Sequence, residues 1–302
     1  MTTVIQVLII AILILVGFFL AKKNVFTEKT GKELSYMLIN FVTPALILNS
    51  FQIDYTPEKL SSLIITFVLG FLSYAIIILF SFLYCGKGEK EKIERLVITF
   101  SNAGFMGIPL IEGVFGSEGV FYASIMVIIF NIMFWSYGIA VVKGRFSKES
   151  FKQILFSPTI ISVVIGIAMF IARIKLPEPF ASVTSHLANM NTPVAMMVAG
   201  ISISQSNIVA ALKNRSLYKM LIGKLFLAPL IIALLFMPLP IDNMIKQVLV
   251  LQIACPSAAI IGISTLQYGG NSKLATEYFT VTTIFSMLSI PIVKALCDLI
   301  FL

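Results

Sequence analysis

The first half of the sequence returns in the second half about 149 residues later, within a chain too apolar for water. Thr43-Pro44 aligns with Thr192-Pro193 at that offset. After a small slip to an offset of 153, Phe115-Gly116 aligns with Tyr268-Gly269. A duplicated membrane sequence with helix-breaking residues at matching places is typical of secondary transporters.

The composition indicates that lipid is the solvent. The chain is 58% hydrophobic and only 12% charged, whereas soluble domains carry about 25% charged residues. At roughly 20 residues per span and with short loops, the length allows about ten helices across a bilayer. The apolar runs predict an all-α fold with spans at 4–21, 33–51, 60–84, 93–111, 119–142, 154–173, 180–203, 216–237, 244–267 and 273–299.

The basic residues predict the orientation of these spans. Of the 22 lysines and arginines, 16 follow odd-numbered spans and 4 follow even-numbered spans. The positive-inside rule then puts odd loops in the cytoplasm and both termini outside a multi-pass plasma (inner) membrane protein. These loops account for the net charge of +8, so nucleic acid is not an expected partner.

The polar stretch 143–152 divides the chain into repeats 1–145 and 146–302. Since each has five spans, the two repeats are expected to have inverted orientation.

Spans four and nine contain residues that disfavour a continuous helix. Glycine and proline weaken a helix interior, and freed backbone groups are costly in hydrocarbon unless they line a cavity or are buried in protein. We expect the two breaks to cross near the bilayer midplane and to offer free half-helix amides to an anion. Asn102 and Ser257 can add side-chain hydrogen bonds, although ordinary proline kinks are the alternative interpretation. The expected substrate-binding residues are Asn102, Gly104, Pro109, Cys255, Pro256 and Ser257.

Spans two and seven carry matching polar residues and prolines, which favour hinged helices beside the site. The same residues can instead repair backbone groups freed by proline or bond a neighbouring helix. The expected supporting residues are Asn40, Thr43, Pro44, Asn191, Thr192, Pro193 and Lys224. For Lys224 we favour a side chain that snorkels to the cytoplasmic interface, with a fixed positive charge near an anionic substrate as the alternative. The many phenylalanines are expected mostly to pack or to face lipid.

No enzyme chemistry is expected. The three cysteines, Cys85, Cys255 and Cys297, lack paired spacing, and the single His186 has no evident partner. We therefore predict no metal site, no cofactor and no catalytic set. No phosphate-binding loop of Walker type is present either, which argues against transport driven by ATP from this chain alone.

The stretch Asn102-Ala103-Gly104-Phe105-Met106-Gly107-Ile108-Pro109-Leu110 resembles the N-x-G-F-x-G-I-P-L segment of the auxin efflux carrier family. The stretch from Pro256 to Gly270 resembles that family's second broken helix, although Cys255-Pro256-Ser257-Ala258 departs from its usual pattern. The resemblance covers essentially the whole chain. The link 143–152 replaces the long central loop of plant members, which implies a compact prokaryotic member similar to malate or malonate permeases.

The resemblance implies a fold like that of bile acid–sodium symporters and sodium–proton antiporters. Scaffold and transport parts would each draw helices from both repeats, and spans four and nine would cross in the transport part. It also implies a carboxylate substrate at a site that includes Asn102, Pro109 and Pro256. Members of this fold often form dimers, so a homodimer is possible, but no motif here specifies one.

The sequence therefore predicts a secondary transporter of small carboxylates that works by alternating access, with the lipid bilayer as its surroundings. Two alternatives stay open. One is a symporter or antiporter in which sodium or a proton is the main cargo and not only a coupling ion. The other is a membrane sensor that binds a ligand without moving it.

Overall fold

The computed structural model describes residues 2–144, 156–206, 212, 215–268 and 270–301. The predicted repeat boundary at 145/146 lies outside these residues, as do the basic residues Arg145, Lys148 and Lys152 of the link. Gly269, the repeat partner of Gly116, lies outside them as well.

The described residues form helices joined by loops and short extended segments, and π-helical turns join several consecutive helices. The helices are α1 (Thr2–Lys22), α2 (Glu28–Met37), α3 (Thr43–Ser50), α4 (Pro57–Cys85), α5 (Glu89–Thr99), α6 (Ile108–Met133), α7 (Ile139–Lys143), α8 (Pro158–Ala172), α9 (Phe180–Asn189), α10 (Asn191–Ser204), α11 (Arg215–Ile222), α12 (Ala228–Phe236), α13 (Asn243–Ala254), α14 (Ile260–Tyr268) and α15 (Ser272–Ile300). The π-helical turns among the described residues are Leu38–Val42, Ala103–Gly107, Phe134–Gly138 and Gly223–Leu227.

Polar residues cap several helices where the chain enters an apolar run. The Thr56 hydroxyl accepts a hydrogen bond from the Lys59 amide at 3.2 Å, just before Pro57 begins α4. The side chains of Asp242 and Asn271 cap α13 and α15 in the same way. These caps satisfy amides that have no partner within the helix.

Within the described part of the chain, five helical segments are long and apolar enough to cross a membrane. They are Val4–Lys22, Pro57–Cys85, Ala103–Lys143, Ser216–Phe236 and Ser272–Ile300. Other predicted spans, at 33–51, 180–203 and 244–267, consist of two helices in series. The all-helical, multi-pass architecture predicted from the sequence is therefore confirmed.

The helices pack as two groups, each with helices from both halves of the chain. In the first group, α1 packs along α10, and α2 and α3 pack on α8, α9 and α10. In the second group, α4 packs on α5 and α6, α13 packs on α6, α12 and α15, and α14 packs on α15. Helix α6 also contacts α1, α3 and α8, so it lies where the groups meet.

Candidate functional site

Two interrupted helices of the second group meet at their interruptions. The chain is extended between α5 and the turn Ala103–Gly107, and again between α13 and α14. Ser101 and Ser257 form an antiparallel bridge there. The Asn102 amide donates to the Pro256 carbonyl at 2.8 Å, and the Ala258 amide donates to the Phe100 carbonyl at 2.9 Å. We call this main-chain pairing, formed by 100–102 and 256–258, the crossing.

An aromatic cluster supports the crossing from one side. The Phe100 ring is fully buried and contacts Tyr74, Phe130 and Phe134 at centroid distances of 5.8, 5.8 and 5.1 Å. Because these rings come from α4, from α6 and from the turn that follows it, they fix the extended segment against its neighbours.

The first interruption lies earlier in the chain than the proline and glycines of span four suggest. Pro109 lies in the first turn of α6, after the π-helical turn Ala103–Gly107. A proline clashes with the carbonyl one turn back in an α-helix, and the wider π turn relieves that crowding. Helix formation therefore resumes before Pro109, and the chain is extended at 100–102 instead.

A cavity of about 620 Å³ lies beside the crossing, where the two helix groups meet. The first group contributes residues of the Leu38–Val42 turn, of α3 and of the start of α8, and the second contributes both half-helix starts and one face of α6. The volume lies within the range usual for small-molecule sites. The lining residues are Ile39, Thr43, Asn102, Ala103, Gly104, Phe105, Val127, Phe130, Asn131, Trp135, Phe156, Ser157, Pro158, Thr159, Ala258, Ala259 and Ile260.

The cavity is bounded by main-chain amides that have no acceptor. Among the described residues, the amides of Gly104 and Phe105 make no hydrogen bond, and neither do those of Ala259 and Ile260. Each pair belongs to the first turn of a half-helix, where the helix itself supplies no acceptor and its dipole is positive. No described lining residue carries a charge, so within the cavity wall an anion can be stabilised by these amides and by their helix dipoles.

Asn102 and Gly104 are the predicted binding residues that line the cavity. The Asn102 backbone amide donates to the Pro256 carbonyl in the crossing, but its side-chain amide makes no hydrogen bond among the described residues. A Cβ at Gly104 would meet no atom within 4 Å, since that position opens into the cavity. Both residues are therefore free to contact a ligand.

The other four predicted binding residues do not line the cavity. Pro256 and Ser257 belong to the crossing, Cys255 precedes it, and Pro109 lies in the first turn of α6. Cys255 is fully buried and ends α13, and the Pro256 carbonyl accepts the Asn102 amide. Ser257 is 1% exposed, and its amide and hydroxyl both lie 3.2 Å from the Thr282 hydroxyl. The proposed side-chain contact from Ser257 to a ligand is therefore corrected, because its neighbours Ala258 and Ala259 line the cavity instead.

Among the supporting residues of spans two and seven, Thr43 lies at the cavity and the others stabilise the helices around it. Thr43 lines the cavity, and its hydroxyl donates to Asn191 Oδ1 at 2.9 Å, joining α3 to α10. Asn40 does not line the cavity and instead donates from Nδ2 to the Tyr36 carbonyl at 2.8 Å, one turn back. Pro44 and Pro193 lie in first turns of helices, as prolines do without cost.

Thr192 bonds to a residue that the sequence did not single out. Its hydroxyl donates to Glu112 Oε2 at 3.1 Å, which links α10 of the first helix group to α6 of the second. Glu112 lies one residue beyond the predicted end of span four at 111, whereas the structure places it inside the apolar segment Ala103–Lys143. An acidic residue inside a span is a signal of function.

Lys224 does not snorkel. Its side chain is fully buried within the π-helical turn Gly223–Leu227 and donates from Nζ to the Ile98 carbonyl at 3.1 Å and to Ser101 Oγ at 2.6 Å. The interpretation as a surface-directed lysine was wrong because a hydropathy pattern gives depth along a helix, not the direction a side chain takes. Lys224 touches the crossing but is not among the lining residues of the cavity.

Aromatic residues form much of the cavity wall, although the sequence pattern did not predict that they lie there. Phe105, Phe130 and Phe156 line it together with Trp135, the single tryptophan of the chain. These phenylalanines were expected to pack or to face lipid. Phe105 alone carried a signal, since it lies within the interrupted stretch.

Comparison with known proteins assigns the family. A sequence model described as membrane transport protein matches residues 2–153 and, a second time, residues 145–294. The chain is 25% identical to an uncharacterized transporter of Methanocaldococcus jannaschii, over 95% of this chain and 96% of that protein. It is 23% identical to an uncharacterized transporter of Methanothermobacter thermautotrophicus, over 95% of each. It is 19% identical to the uncharacterized transporter YfdV of Escherichia coli, over 94% of each. The chain therefore belongs to the membrane transport protein family, the auxin efflux carrier family that its Asn102–Leu110 segment resembles.

Proposed function

We propose that this protein is a secondary transporter of small organic anions, which binds the substrate's carboxylate at the first-turn amides beside Asn102. One observation carries the proposal: four amides from two half-helices, without acceptors among the described residues, border one cavity. Helix starts of this kind are suited to anions because the amides and the helix dipole act together. The Asn102 side chain can donate a further hydrogen bond.

The wall of the cavity favours a substrate with one carboxylate and an apolar body. Phe105, Phe130, Trp135 and Phe156 supply aromatic surface, and no described lining residue is cationic. A second carboxylate would lose its hydration without gaining an opposite charge, which is costly. We therefore expect phenylacetate to bind more tightly than malonate.

The transport step would be movement of one helix group against the other around the crossing. The cavity lies between the groups, so their relative movement can open it to one side of the membrane and then to the other. In this proposal residues 1–145 and 146–302 are inverted repeats of five spans each. Both termini lie outside the plasma membrane, as the distribution of basic residues indicates.

Intrinsic fluorescence of Trp135 tests the binding site directly, because this single tryptophan lines the cavity. We expect phenylacetate to change the fluorescence of the purified protein in a saturable way, and the neutral analogue phenylacetamide to have little effect. Radiolabelled phenylacetate should also accumulate in proteoliposomes that contain only this protein. Binding without accumulation would instead identify a sensor.

Substitution of Asn102 by alanine tests the residue assignment. We expect Asn102→Ala to weaken phenylacetate binding about tenfold or more, as loss of a hydrogen bond to a charged group predicts. Asn40→Ala is the matched control, since the one side-chain hydrogen bond of Asn40 to a described residue is to the Tyr36 carbonyl, and Asn40 does not line the cavity. Equal affinities for Asn102→Ala and the unmodified protein would rule out the assigned site.

A further inference from the structure

A buried lysine, Lys224, contacts the crossing. Lys224 is fully buried in the turn Gly223–Leu227, and no ion pair among the described residues includes it. Burial of a charged group is costly unless other groups stabilise it. The groups that contact Lys224 Nζ therefore indicate what the charge does.

Those contacts tie Lys224 to the ends of both half-helices that lead into the crossing. Nζ donates to the carbonyl of Ile98, in the last turn of α5, at 3.1 Å. It also donates to Ser101 Oγ at 2.6 Å, and Ser101 Oγ donates to the carbonyl of Ile253, in the last turn of α13, at 2.9 Å. One amino group thus reaches one helix end directly and the other through a single hydroxyl.

The electrostatics of the crossing follow from this arrangement. The carboxyl-terminal end of a helix carries a partial negative charge, and cations stabilise it. Two such ends, those of α5 and α13, meet at the crossing, while the positive ends of the following half-helices face the cavity. Without Lys224 the two negative ends would attract a cation from solution.

We propose that Lys224 is the resident cation of the crossing and sets its charge selectivity. By occupying the position that a sodium ion would otherwise take, it leaves the crossing attractive to anions only and makes binding independent of sodium. This inference rests on the proposed function, since it gives a way for a carboxylate to bind beside the crossing without a metal cation. Lys224 is a positioning residue here, because it does not line the cavity.

The unmodified protein provides the first test. We expect phenylacetate affinity, measured by Trp135 fluorescence, to be the same in sodium chloride and in N-methylglucamine chloride at equal ionic strength. We also expect the melting temperature without substrate to be the same in the two salts. A higher phenylacetate affinity or a higher melting temperature in sodium chloride would overturn the proposal, whatever the variants show.

Substitution of Lys224 provides the second test. In N-methylglucamine chloride, we expect Lys224→Gln to bind phenylacetate about tenfold or more weakly, because a charge-assisted interaction is lost. Sodium should then raise both its affinity and its melting temperature. Lys246→Gln is the matched control, because Lys246 is also a buried lysine but lies far from the crossing. It is in the first turns of α13, over the Phe301 ring, whereas the crossing follows the last turn of that helix. Wild-type affinity and no sodium effect in Lys224→Gln would overturn the proposal.

Chemical rescue separates the charge of Lys224 from its volume. In Lys224→Ala, propylammonium should restore phenylacetate binding, whereas propanol of similar size should not. Equal restoration by both would show that Lys224 only fills space. If the unmodified protein binds no carboxylate, the proposed function fails, and the effect of sodium on melting temperature still tests the role of Lys224 independently.

Discussion

Gly104 is the residue at which a side chain would enter the proposed binding site most directly. Its amide has no acceptor among the described residues, and a Cβ there would project into open space. We expect Gly104→Leu to abolish phenylacetate binding by filling the cavity, while the melting temperature stays near that of the unmodified protein. Leucine also favours the helix more than glycine does.

Gly107→Ala is the control for this substitution. A Cβ at Gly107 would make an ordinary 3.5 Å contact with the Gln252 side chain, and Gly107 does not line the cavity. The Gly107→Ala variant should therefore bind phenylacetate with the affinity of the unmodified protein. Undiminished binding by Gly104→Leu would mean that the substrate lies elsewhere.

Individual residues differ in how far the sequence could predict them. Asn102 was predicted because its type and its place in an interrupted span both indicate binding. Lys224 was misinterpreted, since the pattern places it nine residues into a span but cannot show that a π turn directs it towards Ser101. Trp135 gave no signal, because aromatic residues are common throughout this chain.

At the scale of elements, π-helical turns recur where the site is built. Each of the four among the described residues holds a cavity residue or Lys224. In three of the four, a proline follows two residues after the turn: Pro44, Pro109 and Pro229. Proline lacks an amide hydrogen and crowds the preceding turn. The prolines were therefore a valid signal of irregular helix, but not of the position at which the helix breaks.

The close packing of α1 against α10 gives a prediction about stability. A Cβ at Gly17 would lie 2.3 Å from the Met197 carbonyl oxygen, so any larger residue must push the two helices apart. We expect Gly17→Ala to lower the free energy of unfolding by about 1–3 kcal/mol, the usual cost of overpacking. Thermal unfolding in detergent measures this.

Gly104→Ala serves as its control, because the same change there meets open space. An unchanged melting temperature for Gly17→Ala would show that α1 and α10 are not in backbone contact. In the sequence, Gly17 aligns with Gly166 at the repeat offset of 149, and no other feature singles it out. Nothing in the pattern identified Met197 as its neighbour.

At the scale of the whole molecule, Glu112 and Thr192 connect the two helix groups. If access alternates by movement between the groups, joining these positions should stop transport. We expect the double variant Glu112→Cys, Thr192→Cys, treated with a short bifunctional thiol reagent, to lose phenylacetate uptake in proteoliposomes. Binding monitored through Trp135 fluorescence should persist, because neither position lines the cavity.

The two single-cysteine variants are the controls, and the native cysteines are buried away from the reagent. Full uptake by the cross-linked protein would contradict movement between the groups. The duplication in the sequence predicted two halves, but the packing groups follow from contacts between distant helices. Only the family resemblance implied that each group draws on both halves.

Main-chain hydrogen bonds between Asn102 and Pro256 and between Phe100 and Ala258 hold the crossing together. Apart from the half-helix amides, the cavity walls are side chains. Exchanges in those walls can therefore accumulate over evolution without loosening the framework that holds them. Homologues as divergent as the archaeal and bacterial proteins, at 19–25% identity, can keep the same anchoring amides and yet recognise chemically different metabolites.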